Sequence, residues 1–111
     1  MGHGRCGGIQ AALDPNFESL SPGDFIGKWM KMVKSAAEQI QSNDVMTASE
    51  RQTALERVSI RNSISNLRAF PFVKAQEVAG KVKLHGAWFD ISTGELWVMD
   101  SKTGDFRRPD V

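Results

Sequence analysis

Phe25, Trp29, Met32, Ala36 and Ile40 recur at intervals of four, three, four and four among positions that are largely Lys and Gln. Such spacing lays one apolar stripe along an α-helix. Ser21-Pro22-Gly23-Asp24 supplies the hydroxyl cap, the first-turn proline and the carboxylate near the positive end that open it, and Ser42-Asn43-Asp44 closes it. A second long helix is predicted from Thr47 to about residue 69, because Thr47-Ala48-Ser49-Glu50 repeats the cap-plus-carboxylate signature. Ile60, Ile64 and Leu67 form its inward stripe, which leaves Glu50, Arg51, Glu56, Arg57 and Arg61 as a solvated face with local ion pairs. Pro71 ends that helix and starts a shorter one over residues 71–79, stopped by Gly80 in a left-handed cap.

The pattern then changes period. Val82 and Leu84 alternate with Lys81 and Lys83, and the run thickens into Ala87-Trp88-Phe89-Asp90-Ile91, as expected of a strand passing into a covered environment. Ser92-Thr93-Gly94-Glu95 has turn chemistry, and Leu96-Trp97-Val98-Met99-Asp100 returns as a second strand, so an antiparallel hairpin is predicted. A short helix over residues 9–13 stops at Asp14-Pro15, and the tail from Arg107 reads as a frayed end. The elements make one unit, residues 1–111, with no repeat and no low-complexity segment.

Composition narrows the function classes. Fourteen basic against thirteen acidic residues leave a net charge of +1, too little to hold a nucleic-acid backbone or an anionic bilayer. Apolar runs of a few residues fall far short of the roughly 20 needed for a membrane span. With one cysteine, no internal disulfide is possible, and Met1 to Cys6 lacks the apolar core of a secretory signal, so a cytoplasmic setting is the expectation.

Candidate chemistry concentrates at the start of the chain. Gly2, Gly4, Gly7 and Gly8 mark a loop that turns sharply, and His3 and Cys6 stand two residues apart within it. An imidazole and a thiolate at this spacing can close on one zinc ion, and the beginning of the following helix favours the thiolate. Three other readings share the loop. Gly2, Gly4 and Gly7 satisfy the start of a dinucleotide-binding pattern, but only Met1 precedes them where a strand is required. Cys6 with His3 could be a nucleophile and its base, though no orienting third group or oxyanion hole is identifiable. The simplest alternative is a glycine-rich turn with an incidental His and a half-buried Cys. Elsewhere, His85 reads as a strand packing residue, and Phe25, Trp29, Met30 and Met32 as core rather than a cofactor box.

Taken together, Gly2-His3-Gly4-Arg5-Cys6-Gly7-Gly8 followed by Ile9-Gln10-Ala11-Ala12 resembles the second zinc motif of β-class carbonic anhydrases. The resemblance continues in order through Ser63-Ile64-Ser65-Asn66-Leu67, Phe70-Pro71-Phe72-Val73, the segment Leu84-His85-Gly86-Ala87-Trp88-Phe89-Asp90-Ile91, and Gly94-Glu95-Leu96. It implies a partial α/β fold of that family, with helices packed on a small sheet and a C-terminal antiparallel hairpin. It also implies His3 and Cys6 as zinc ligands, reversible hydration of carbon dioxide to bicarbonate, and a homo-oligomer. Members carry a C-x-D-x-R motif ahead of this region that adds a cysteine ligand and an aspartate–arginine pair. The chain contains no such segment, so the resemblance implies a C-terminal portion whose turnover on its own is impaired. The alternative is a non-catalytic fragment that associates with itself or with a complete subunit.

Overall fold

One helix organises the molecule. In the computed structural model, which describes residues 1–14 and 31–109, helix α3 (Ala48–Arg68) packs against every layer around it. Its start is the predicted capping box: the Thr47 hydroxyl accepts from the Glu50 amide at 3.2 Å, and the Glu50 carboxylate accepts from the Thr47 amide at 3.1 Å. Around it lie α1 (Gly7–Ala12), α2 (Lys34–Gln41) and α4 (Pro71–Val78). As predicted, proline opens α4, and Gly80 follows it at φ +73°.

Among the described residues, four strands form one mixed sheet in sequence order: β1 (Gly2–His3), β2 (Ala87–Asp90), β3 (Glu95–Met99) and β4 (Phe106–Arg107). β2 and β3 make the expected antiparallel hairpin, with Trp88 opposite Trp97 and Asp90 opposite Glu95. Gly94 sits in its turn at φ +74°, a conformation that suits a residue without Cβ, and its amide donates to the Asp90 carbonyl at 2.8 Å. β1 runs parallel to β2, placing Gly2 beside Trp88 and His3 beside Phe89.

Among the described residues, two apolar clusters flank α3. Ile9, Val33, Ala37 and Leu55 join it to α1 and α2, whereas Ile60, Trp88 and Phe106 join it to the sheet. Among the described residues, no helix is long and apolar enough to cross a membrane.

Several expectations are corrected. The cap at Ser21 and the apolar positions Phe25, Trp29 and Met30 lie outside the described residues. Of that stripe, Met32 is exposed, and burial falls one position later, on Val33 and Ala37. The first hairpin strand starts at Ala87 rather than near Val82 and ends at Asp90, leaving Ile91 exposed in the turn. Arg107 is not part of a frayed tail: it pairs with Val98 in β4, its guanidinium meets Asp100 at 2.6 Å, and Arg108 meets Glu95 at 2.6 Å. A two-residue strand has too little periodicity to be read from sequence, and its register is set by the buried Phe106.

Candidate functional site

The glycine-rich loop crosses from the end of β1 into α1. The Gly4 amide donates to the Phe89 carbonyl at 2.7 Å, carrying the parallel pairing one residue beyond His3. Arg5 then turns the chain at φ +59°, a left-handed conformation seldom adopted outside glycine. Gly4 cannot share the turn freely with a larger residue, because a Cβ there would stand 3.2 Å from the Trp88 ring. Cys6 follows in an extended conformation as the N-cap of α1, and its side chain makes no capping hydrogen bond. The thiol is therefore not used in starting the helix.

His3 and Cys6 line the same cavity, of about 360 Å³, whose walls also include Ile60, Ile64 and Glu56. The imidazole is exposed and the thiol half-buried against the Ile9 cluster. His85 lines this cavity too; it is exposed and precedes β2, which corrects its reading as a packed strand residue. Among the described residues, no group of three or more His, Cys, Asp and Glu side chains is arranged to hold a metal ion. An imidazole and a thiol suit a borderline-soft divalent ion such as zinc, which takes three or four protein ligands. The donor chemistry fits zinc, and these two residues make a partial set.

Behind the thiol lies a buried polar assembly that sequence reasoning missed. Glu56 was assigned to the solvated face of its helix, yet it is only 3% exposed. Its Oε2 accepts from the Cys6 amide at 3.1 Å and from Gln52 Nε2 at 3.1 Å, and its Oε1 accepts from Trp88 Nε1 at 3.0 Å. Gln52 Nε2 also donates to the Cys6 carbonyl at 3.3 Å. Both polar groups of the Cys6 backbone are thus held by side chains one turn apart on α3. The signal was present in the stripe itself: Glu56, Ile60 and Ile64 succeed each other at intervals of four.

Arg57 departs from the solvated face as well. Its guanidinium carbon lies 4.8 Å from the Trp88 ring centre, 5.0 Å from Trp97 and 5.6 Å from Phe106. Burial, helped by the nearby charge of Arg61, pushes its pKa below the ordinary arginine value, while Glu56 and Asp90 oppose the shift. On the far side of the loop, Gly4, Arg5, Gln52 and Asp90 line a smaller polar cleft of about 70 Å³. The Asp90 carboxylate there is held below its usual range, first by the Ser92 hydroxyl.

The geometry defines a class: a mixed-sheet α/β domain that presents a sulfur and an imidazole from one loop at the carboxyl end of a strand. Comparison with known proteins gives it a family. The family model for carbonic anhydrase matches residues 1–96. The chain is 32% identical over 108 residues to beta carbonic anhydrase 3 of Arabidopsis thaliana, covering 93% of this chain and 42% of that protein. It is 31% identical over 103 residues to the chloroplastic beta carbonic anhydrase 5 of the same plant, covering 90% of this chain and 34% of that one. The solved structure of the beta-carbonic anhydrase CcaA superposes with a TM-score of 0.81 at 23% identity, over 99% of this chain and 49% of that chain. The chain belongs to the β-class carbonic anhydrase family, and it spans less than half the length of these relatives. The small sheet, flanking helices and C-terminal antiparallel strands are those expected of a partial member.

Proposed function

We propose that this chain contributes His3 and Cys6 as two ligands of a zinc site and serves the reversible hydration of carbon dioxide to bicarbonate. The observation that carries the reading is the opening of both side chains onto one cavity, within a chain whose family assignment spans the loop that bears them. Zinc, when bound, supplies a Lewis acid that makes water nucleophilic near neutral pH. The chain's own part is to hold the ion from one side, through an imidazole at the sheet edge and a thiol kept free of helix capping. Two ligands leave the ion short of a closed protein shell, so turnover by this chain alone is impaired relative to a complete enzyme. The reading takes residues 1–111 as one partial domain in a cytoplasmic setting.

Zinc uptake by the reduced chain, measured by equilibrium dialysis, tests it. Tight uptake that is lost in His3→Ala and Cys6→Ala supports the ligand assignment, and equal uptake by the double-alanine variant refutes it. Stopped-flow hydration addresses the second clause, since rapid zinc-dependent turnover by the isolated chain would show that no further ligand is needed.

A second reading is favoured by the apolar surface at the α3–α4 corner. Phe70, Phe72 and Val78 are 62, 75 and 80% exposed, a concentration that favours self-association or association with a complete subunit. Size-exclusion chromatography with light scattering distinguishes the cases: a monomer at all concentrations argues against homo-oligomerisation, and a dimer that Phe72→Glu dissolves supports it.

A further inference from the structure

We infer that Glu56 and Gln52 are positioning residues for the Cys6 sulfur, clamping the backbone on either side of the Cys6 Cα so that the thiol keeps its aim into the cavity. The inference rests on the zinc reading above and goes beyond it, because neither side chain is a proposed ligand.

A carboxylate can meet several N–H donors at both oxygens, which a neutral amide cannot. Three N–H donors converge on Glu56: the Cys6 amide and Gln52 at one oxygen, and the Trp88 indole at the other. An ionised carboxylate is acceptor-only at both oxygens, whereas a glutamine offers one acceptor oxygen and turns an NH2 group toward the remaining donors. Glu56 is also buried, where an unmatched donor is costly and a charge-assisted bond is strong.

The Cys6 amide is not consumed by helix α1, and Cys6 starts that helix without a side-chain cap. Just before it stands Arg5 at φ +59°, a backbone that relaxes readily unless its neighbours are held. Glu56 holds the amide of the next residue, and Gln52 holds its carbonyl, which also accepts from the Gln10 amide at 3.0 Å. The Trp88 indole fixes the other end of Glu56 to β2, the strand paired with His3-bearing β1. One carboxylate therefore references the sulfur's loop to the strand pair that carries the imidazole. Outer-shell groups that orient a ligand in this way typically affect metal affinity by 10- to 100-fold.

Cobalt(II) titration of the full, reduced chain tests the inference through the thiolate-to-cobalt charge-transfer band, which reports sulfur coordination and not fold stability. Glu56→Gln should weaken cobalt binding roughly tenfold or more and diminish the band. Phe106→Leu, a core change on the sheet side, controls for stability alone and should keep the wild-type affinity and band. If Glu56→Gln does not give the folded circular dichroism spectrum, Gln52→Leu, which removes the carbonyl arm and the Gln52 bond to Glu56 but leaves the Cys6 amide on Glu56, carries the same expectation with a smaller loss. Wild-type cobalt binding in whichever of these variants folds overturns the inference and leaves the zinc reading intact; so does an equal loss in Phe106→Leu. No thiolate band in the unaltered chain removes the zinc reading and the inference with it.

Discussion

Trp88→Phe asks how much the fold relies on the polar bridge between β2 and α3. The indole is buried, and its Nε1 donates to the Glu56 carboxylate at 3.0 Å. Phenylalanine keeps an aromatic face toward Arg57 and Trp97 but has no donor to offer. Loss of a hydrogen bond to a charged acceptor costs about 1.5–3 kcal/mol. The smaller ring leaves a void of roughly 40 Å³, and at about 24 cal/mol per Å³ that adds about 1 kcal/mol. The expected total is about 2.5–4 kcal/mol, a large share of the 5–15 kcal/mol typical of a whole domain. Urea unfolding followed by far-UV circular dichroism reads it directly, since a slope of about 1–3 kcal/mol per molar converts this loss into a midpoint shift of about 1 M or more. Combining Trp88→Phe with Glu56→Gln should cost less than the sum of the two, because both cut the same bridge. A loss below about 1 kcal/mol, or strict additivity in the double variant, would refute the bridge as an energetic link between sheet and helix.

Thr47→Ala removes the hydroxyl half of the capping box and should cost about 1 kcal/mol in the same urea assay. Gly86→Val should cost about 1–3 kcal/mol by overpacking, because a Cβ at Gly86 would lie 3.0 Å from Ile60 Cγ2 and 3.2 Å from the Met99 side chain; a neutral result would mean that this junction is loose. The Asp90 pKa is depressed chiefly by the Ser92 hydroxyl, with the Ser92 amide, Thr93 and Arg5 adding to it against the opposing effect of burial. A depressed folded-state pKa contributes stability that is fully present above the unfolded value of about 3.9 and is lost as pH falls through the folded value. Asp90→Asn should therefore flatten the fall of stability with acidification in that window. Some slope should remain, because Asp100 is shifted the same way by the Lys102 and Thr103 amides and by Arg107. An unchanged acid limb in Asp90→Asn would show that the Asp90 turn is not maintained in solution.

What could be read from the sequence and what could not divide along physical lines. Thr47 with Glu50, Pro71 and Gly80 announced helix boundaries because capping is local chemistry, complete within a few residues. The hairpin was legible for the same reason, through the turn around Gly94. His3 and Cys6 could be singled out from spacing, and their common cavity agrees with an origin in one loop. β1 and β4 were not legible, since two-residue strands exist only through their neighbours' backbones. Charge suggests exposure at Glu56 and Arg57, and at both positions that suggestion fails. Glu56 occupies the stripe that Ile60 and Ile64 continue and is buried, and Arg57 spreads its guanidinium over three aromatic rings and is half-buried, in both cases through partners distant in sequence.

The burial of Glu56 raises the question why the core of so small a domain contains a carboxylate at all. An apolar residue in place of Glu56 would bury well against Ile60, but it would strand the Cys6 amide and the Trp88 indole, both of which now have a partner. It would also join loop and sheet only by packing, which is non-directional and tolerates sliding. The hydrogen-bonded carboxylate is directional at both oxygens, so it fixes the angle at which the loop leaves the sheet as well as the distance between them. Arg57, one residue on, lies half-buried over the ring of the same Trp88 that donates to Glu56, so a positive charge stands beside the buried carboxylate on one turn of α3. Glu56→Leu combined with Trp88→Phe removes the indole that Glu56→Leu alone would strand, so it should be more stable than Glu56→Leu, while the Cys6 amide is still left without its acceptor. Hydrogen exchange of that amide faster than the global loss of stability accounts for would separate the two roles of Glu56.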